Sequence, residues 1–128
     1  MKKRFLPLLL ALCLVLAGCG ADKSAPYEQI DAETAYTIMQ EQPDAVVLDV
    51  REQDEYDSGH VPGAVLLSLG TIDEQGAQAV IPAKDTTVLV YCRSGNRSKQ
   101  AAEKLAALGY TAIYEFGGIR DWPYEIEQ

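Results

Sequence analysis

The chain has 128 residues, of which 11 are basic and 19 acidic, for a net charge of −8. That balance argues against a nucleic-acid binder, which needs a basic face to displace counterions from phosphate, and against electrostatic adsorption to anionic lipid. Three cysteines and a single histidine do not make a zinc cluster, so no metal and no other cofactor is expected.

The first element is a targeting segment. Met1-Lys2-Lys3-Arg4 is basic, and Phe5 to Ala17 is an apolar stretch of 13 residues that contains Pro7. A spanning helix needs roughly 20 residues, so this run suits a signal-peptide core instead. It ends in Leu16-Ala17-Gly18-Cys19, which resembles the bacterial lipoprotein lipobox. The resemblance implies cleavage before Cys19, a signal peptide over residues 1–18 and a diacylglyceryl group on Cys19. An ordinary cleaved signal with a chance cysteine is the plainer alternative. Two or more acyl chains, palmitate among them, anchor stably. The expected location is therefore the extracytoplasmic face of the cell membrane, with residues 19–28 as a lipidated tether and one domain over 29–128. Losing Lys2, Lys3 and Arg4 leaves 8 of the 11 basic residues against all 19 acidic ones, a net charge of −11. Cys13 leaves with the signal and Cys19 is lipidated, so Cys92 remains as the only thiol.

About 100 residues suffice for one hydrophobic core. Asp31 caps a predicted helix running to about Glu41, with Ala35, Ile38 and Met39 as its apolar stripe. Ala45-Val46-Val47-Leu48 reads as a buried parallel strand ending at Asp49-Val50-Arg51. Glu52 to Asp57 is a short acidic helical turn closed by Ser58-Gly59, and Val65-Leu66-Leu67 is a short strand. Residues 70–82 are ambiguous between loop and helix. Thr87 to Tyr91 is a β-rich apolar strand, and Ala112-Ile113-Tyr114 is the last one. Strands separated by helical segments imply right-handed crossovers, hence an α/β domain with a mostly parallel central sheet of about five strands flanked by helices. A monomer is expected.

Chemistry concentrates between the penultimate strand and the helix after it. The run Tyr91-Cys92-Arg93-Ser94-Gly95-Asn96-Arg97-Ser98 places a thiol at a strand end, where α/β sheets form their sites. Ser98 is the predicted N-cap of a helix carrying Ala101, Ala102, Leu105 and Leu108 on its apolar face. The amides of residues 93–98 can turn inward as a nest, and the helix N-terminus adds partial positive charge. A free cysteine titrates at about 8.5, and these surroundings favour the nucleophilic thiolate. Arg93, Arg97 and Lys99 are 3 of the 8 basic residues of the mature chain and focus positive potential where an oxyanion substrate would bind. A buried structural cysteine is the bland alternative, and arginines do not normally gather around an inert thiol.

Three stretches resemble the rhodanese family, over about residues 29 to 124. They are Leu48-Asp49-Val50-Arg51-Glu52 through Glu55-Tyr56 with Gly59-His60-Val61-Pro62-Gly63-Ala64, the loop Cys92 to Arg97, and Gly117-Gly118-Ile119-Arg120-Asp121-Trp122. The resemblance implies a sulfurtransferase. Cys92 would take the outer sulfur of a small anionic donor such as thiosulfate as a persulfide and pass it to cyanide or a thiol. Arg93 and Arg97 would bind donor oxyanions, and Ser94, Gly95, Asn96 and Ser98 would complete the cradle. The four residues between Cys92 and Arg97 set this loop apart from the similar phosphatase and arsenate-reductase loops, which have five. Tyr91 also stands where tyrosine phosphatases have histidine. Asp49 and Arg51 are expected to fix neighbouring loops, with Arg51 pairing Glu52 or Glu55. His60 invites a general-base role, but it reads better as a turn-stabilising residue, and Trp122 as packing for the terminal segment. A non-enzymatic carrier of sulfane sulfur, or an anion-binding module for a partner protein, is the rival function.

Overall fold

The computed structural model describes residues 26–128. The expected signal peptide, the lipidation at Cys19 and most of the tether lie outside the described residues. Five strands form one parallel sheet: β1 (Glu28–Gln29), β2 (Val46–Asp49), β3 (Val65–Leu66), β4 (Val88–Cys92) and β5 (Ile113–Gly118). Between them run α1 (Ala32–Glu41), α2 (Gln53–Ser58), α3 (Glu74–Val80) and α4 (Asn96–Ala107), with single 3-10 turns at Leu69–Thr71 and Ile119–Asp121. The sheet order is β1-β5-β4-β2-β3, with every pair parallel. The expected α/β architecture is what the chain adopts. Folding starts slightly earlier than residue 29: Glu28 pairs with Tyr114 on β5, and Tyr27 packs on the core.

Local rules place most elements. Asp31 accepts the Thr34 amide at 2.8 Å and caps α1. Glu52 and Glu55 make a reciprocal capping box at the start of α2. The ambiguous segment 70–82 resolves into the 3-10 turn and α3, which Asp73 caps by accepting the Gly76 amide at 2.7 Å.

β4 is the middle strand, and all five of its residues are buried. Its side chains alternate between the two faces of the sheet, as extended chain must. Val88, Val90 and Cys92 enter the layer beneath α3 and α4, with Ala101, Ala102, Leu105 and Ile81. Leu89 and Tyr91 enter the opposite layer, with Ala35, Val61, Phe116 and Trp122. The nucleophile candidate and its neighbour Tyr91 therefore face different halves of the molecule.

Candidate active site

β4 runs through Cys92, and the chain then turns over only Arg93, Ser94 and Gly95 before α4 begins. Gly95 is the residue before the helix and has φ 103°, a left-handed value that glycine adopts without Cβ strain. The turn brings the Gly95 amide to 3.0 Å from Cys92 Sγ. α4 thus starts earlier than a cap at Ser98 would allow. Ser98 lies inside the first helical turn, fully buried, with its hydroxyl 3.4 Å from the same sulfur. Cys92 is 1% exposed. Burial pushes its thiol up, but hydrogen bonding from the Ser98 side chain and from the amides of Ser98, Gly95 and Ser94 outweighs it, and the net shift is downward. Of the expected amide nest, the Gly95 amide bonds the sulfur directly, and the surroundings together draw the thiol downward.

The rim of the turn is polar and open. Arg93, Ser94, Asn96 and Lys99 are exposed, whereas Arg97 is half-buried. Arg97, expected to bind donor oxyanions, is paired with a carboxylate in this structure. Its two terminal nitrogens grip Glu55 of α2 at 2.7 and 2.9 Å, a bidentate fork–fork pair. That pair holds the Glu55 carboxyl at about 2, well below the usual range. Arg97 still lends positive charge near Cys92, but Arg93 is the arginine of the turn whose guanidinium has its polar atoms open to an anion.

Arg51 also has a different partner from those expected. It pairs with Asp49 at 2.7 Å rather than with Glu52 or Glu55, because the Asp49 carboxylate at the end of β2 accepts both the Arg51 backbone amide and its guanidinium. Arg51 Nη2 also donates to the Gly59 carbonyl at 2.7 Å. Tyr91 Oη donates to Asp49 Oδ2 at 2.5 Å and accepts from the Val61 amide at 3.0 Å. This buried network ties the strand carrying Cys92 to the 59–61 turn, the structural role foreseen for Asp49 and Arg51. His60 stacks on Tyr56 with ring centroids 3.9 Å apart. Its Nδ1 lies 3.0 Å from the Tyr56 carbonyl, which can only accept, so that nitrogen carries the proton. His60 thus serves the turn and the C-terminal segment, where its backbone bridges Glu127. Trp122 packs against Phe116, Tyr36 and Tyr124 and fastens the terminal segment, as expected.

One residue of the site carries no motif or pattern that marks it. Glu115 of β5 is 2% exposed, and its Oε2 accepts from Ser98 Oγ at 2.6 Å and from the Gly117 amide at 2.7 Å. A polar residue between Tyr114 and Phe116 looks solvent-facing by alternation. The available signal was the sheet itself: a strand inside a parallel sheet has helices on both faces, so Glu115 had to be buried.

Residues 31–124 match the model of the rhodanese-like domain. The chain belongs to the rhodanese-like domain family. It is 43% identical over 74 residues to the thiosulfate sulfurtransferase PspE of Escherichia coli K12, which covers 58% of this chain and 70% of that protein. It is 34% identical over 97 residues to the thiosulfate sulfurtransferase GlpE of Coxiella burnetii, covering 75% and 87%. The solved structure of a rhodanese with anions from E. coli superposes with a TM-score of 0.60 at 38% identity, over 66% of this chain and 98% of that one. In this rhodanese-like domain Cys92 ends β4, at the base of the turn that leads into α4.

Proposed function

We propose that this protein is a thiosulfate-type sulfurtransferase working through a persulfide on Cys92. The observation that carries the proposal is the position of Cys92 Sγ, buried at the end of the central strand and 3.0 Å from the Gly95 amide. The thiolate attacks the outer sulfur of thiosulfate, and the S–S bond of the donor breaks to release sulfite. The product is a persulfide whose terminal sulfur sits under the amides of the turn. Cyanide or a thiol then attacks that sulfur, and Cys92 leaves as thiolate. Such double displacement is covalent, ping-pong catalysis. A turn of this size suits one sulfur atom, and exposed Arg93 supplies the charge that draws an anionic donor. The naming of PspE and GlpE as thiosulfate sulfurtransferases supports the same donor class.

The test is thiocyanate formation from thiosulfate and cyanide by the fragment from residue 20. Cys92→Ser should lower it by at least about three orders of magnitude. Equal inactivity of wild type and variant with several donors would overturn the enzymatic reading. Incubation with donor alone should add the mass of one sulfur to the wild type and none to the variant.

The anchoring of the enzyme at the outer face of a membrane through Cys19 belongs to the same proposal. The apolar run Phe5 to Ala17 and the lipobox-like Leu16-Ala17-Gly18-Cys19 support it. Cys19→Ala should move the protein from the membrane to the soluble fraction, and unchanged membrane retention would refute the anchor.

A further inference from the structure

Glu115 is a buried carboxylate with no lysine or arginine bonded to it among the described residues. Its partners are the Ser98 hydroxyl at 2.6 Å, the Gly117 amide at 2.7 Å and the Gln29 side-chain amide at 3.5 Å. An ion in such a place is costly unless hydrogen bonds offset the lost water or a proton neutralises it. The Ser98 hydroxyl is the link to the nucleophile, since Cys92 Sγ lies 3.4 Å from its other side.

Ser98 has one O–H hydrogen, and Glu115 and Cys92 are the two titratable neighbours that can take it. When Glu115 is ionised, its carboxylate takes that hydrogen, and Ser98 Oγ accepts from the Cys92 thiol. When Glu115 holds a proton, it donates to Ser98 Oγ, and the Ser98 hydrogen turns to the Cys92 thiolate. The same heavy-atom positions serve both patterns. The Gly95 carbonyl at 3.0 Å and the Gly117 carbonyl at 3.3 Å from Oγ are further acceptors, and the shorter contact to Glu115 outcompetes both.

On the reading of Cys92 as the sulfur-accepting nucleophile, we infer that Glu115 is a positioning residue that receives, through Ser98, the proton Cys92 releases. The step balances without an outside acid or base. The Cys92 S–H bond breaks, its proton passes to Ser98 Oγ, and the Ser98 proton passes to Glu115 Oε2. The thiolate then attacks the donor and sulfite leaves with its bonding pair. After the acceptor has taken the outer sulfur, the restored thiolate regains the proton by the reverse route.

The groups facing this chain are few. Cys92 comes from β4, Ser98 from α4, and Tyr27 and Gln29 lie at the β1 side. Tyr27 is raised by burial first, then by Glu103 and Glu115, so its phenol stays protonated and adds no charge. Arg97 of α4 adds positive potential toward Cys92. Two anions separated by one hydroxyl repel, and a proton held between them relieves that repulsion.

The experiment is the pH dependence of Cys92 alkylation by iodoacetamide, with folding checked by circular dichroism. Wild type should show two rises in rate separated by a plateau at least about one pH unit wide. Glu115→Gln keeps the side-chain shape but holds no exchangeable acid proton, and it should show a single rise. Ser98→Ala keeps the carboxylate but cuts the link, and it should lose the lower rise as well. This second variant carries the test if the first does not fold. A single rise in wild type, or two rises in either folded variant, would overturn the relay. Alkylation needs neither donor nor acceptor. A protein inactive with thiosulfate therefore still reports on proton sharing, and an active one with a single-step profile refutes the relay alone.

Discussion

Glu55 decides what Arg97 can do. The pair spans 42 positions in sequence and joins α2 to the first turn of α4. It is partly solvated, with side chains 29% and 26% exposed, so its worth is at the upper end for a surface pair, about 1 kcal/mol, and not what full burial would give. The folded-state pKa of Glu55 is about 2, below its ordinary 4.5, chiefly because Arg97 hydrogen-bonds the ionised form. A depressed carboxyl contributes stability above the unfolded value and loses it as pH falls through the folded one. The contribution is therefore complete above about pH 4.5 and fades toward pH 2. Glu55→Gln should cost about 1 kcal/mol at pH 7 by urea denaturation and flatten this part of the acid limb. An unchanged acid limb would show that the pair does not form in solution. Arg97 released from Glu55 should also turn toward the sulfur, so thiosulfate KM should move while the Cys92 chemistry persists.

At the scale of elements, the site is an agreement between two chain turns that touch. β5 passes so close to the turn after β4 that a Cβ on Gly118 would lie 2.0 Å from the Arg93 carbonyl oxygen. That atom is backbone and cannot step aside without moving the whole turn. Gly118→Ala should destabilise by about 1–3 kcal/mol and, by displacing the amides around Cys92, cut thiocyanate formation more than its stability loss explains. Gly95→Ala tests the same turn through φ 103°, where a Cβ costs about 1–2 kcal/mol with no steric neighbour closer than 3.5 Å. Activity surviving intact in Gly118→Ala would mean the turn tolerates another shape. Sequence alone shows the Gly-containing turn, the strand before it and the helix after it, because these obey local rules of period and capping. It misplaces the helix start by taking Ser98 as the cap, since a hydroxyl in the first turn looks like a cap until tertiary structure gives it Cys92 and Glu115 as partners. The partner of Arg97 was likewise a three-dimensional choice among several acidic residues. β1 escaped notice because two exposed polar residues at a sheet edge carry no apolar pattern.

Across the whole molecule, the central strand divides labour between the two faces of the sheet. The face beneath α4 holds the thiol, Ser98 and Glu115, and the opposite face holds the Tyr91 network and the aromatic group around Trp122. Tyr91 is the neighbour of the nucleophile in sequence, yet its hydroxyl serves Asp49 and the Val61 amide on the far side. Burial, first of all, and then the Asp49 carboxylate beside it keep that phenol protonated far above the physiological range. Tyr91→Phe removes one hydroxyl and leaves the buried Val61 amide without a partner, while Asp49 keeps Arg51, a cost of about 1–3 kcal/mol. Because the backbone amides that hold the sulfur do not depend on that hydroxyl, kcat at a temperature where the variant stays folded should fall less than about threefold. Its melting temperature should drop by about 4–8 °C for each kcal/mol lost in a domain of this size. A collapse of kcat comparable to that of Cys92→Ser, in a variant still folded, would show that the two faces are not separable. The aromatic face would then be part of the chemistry and not only its support.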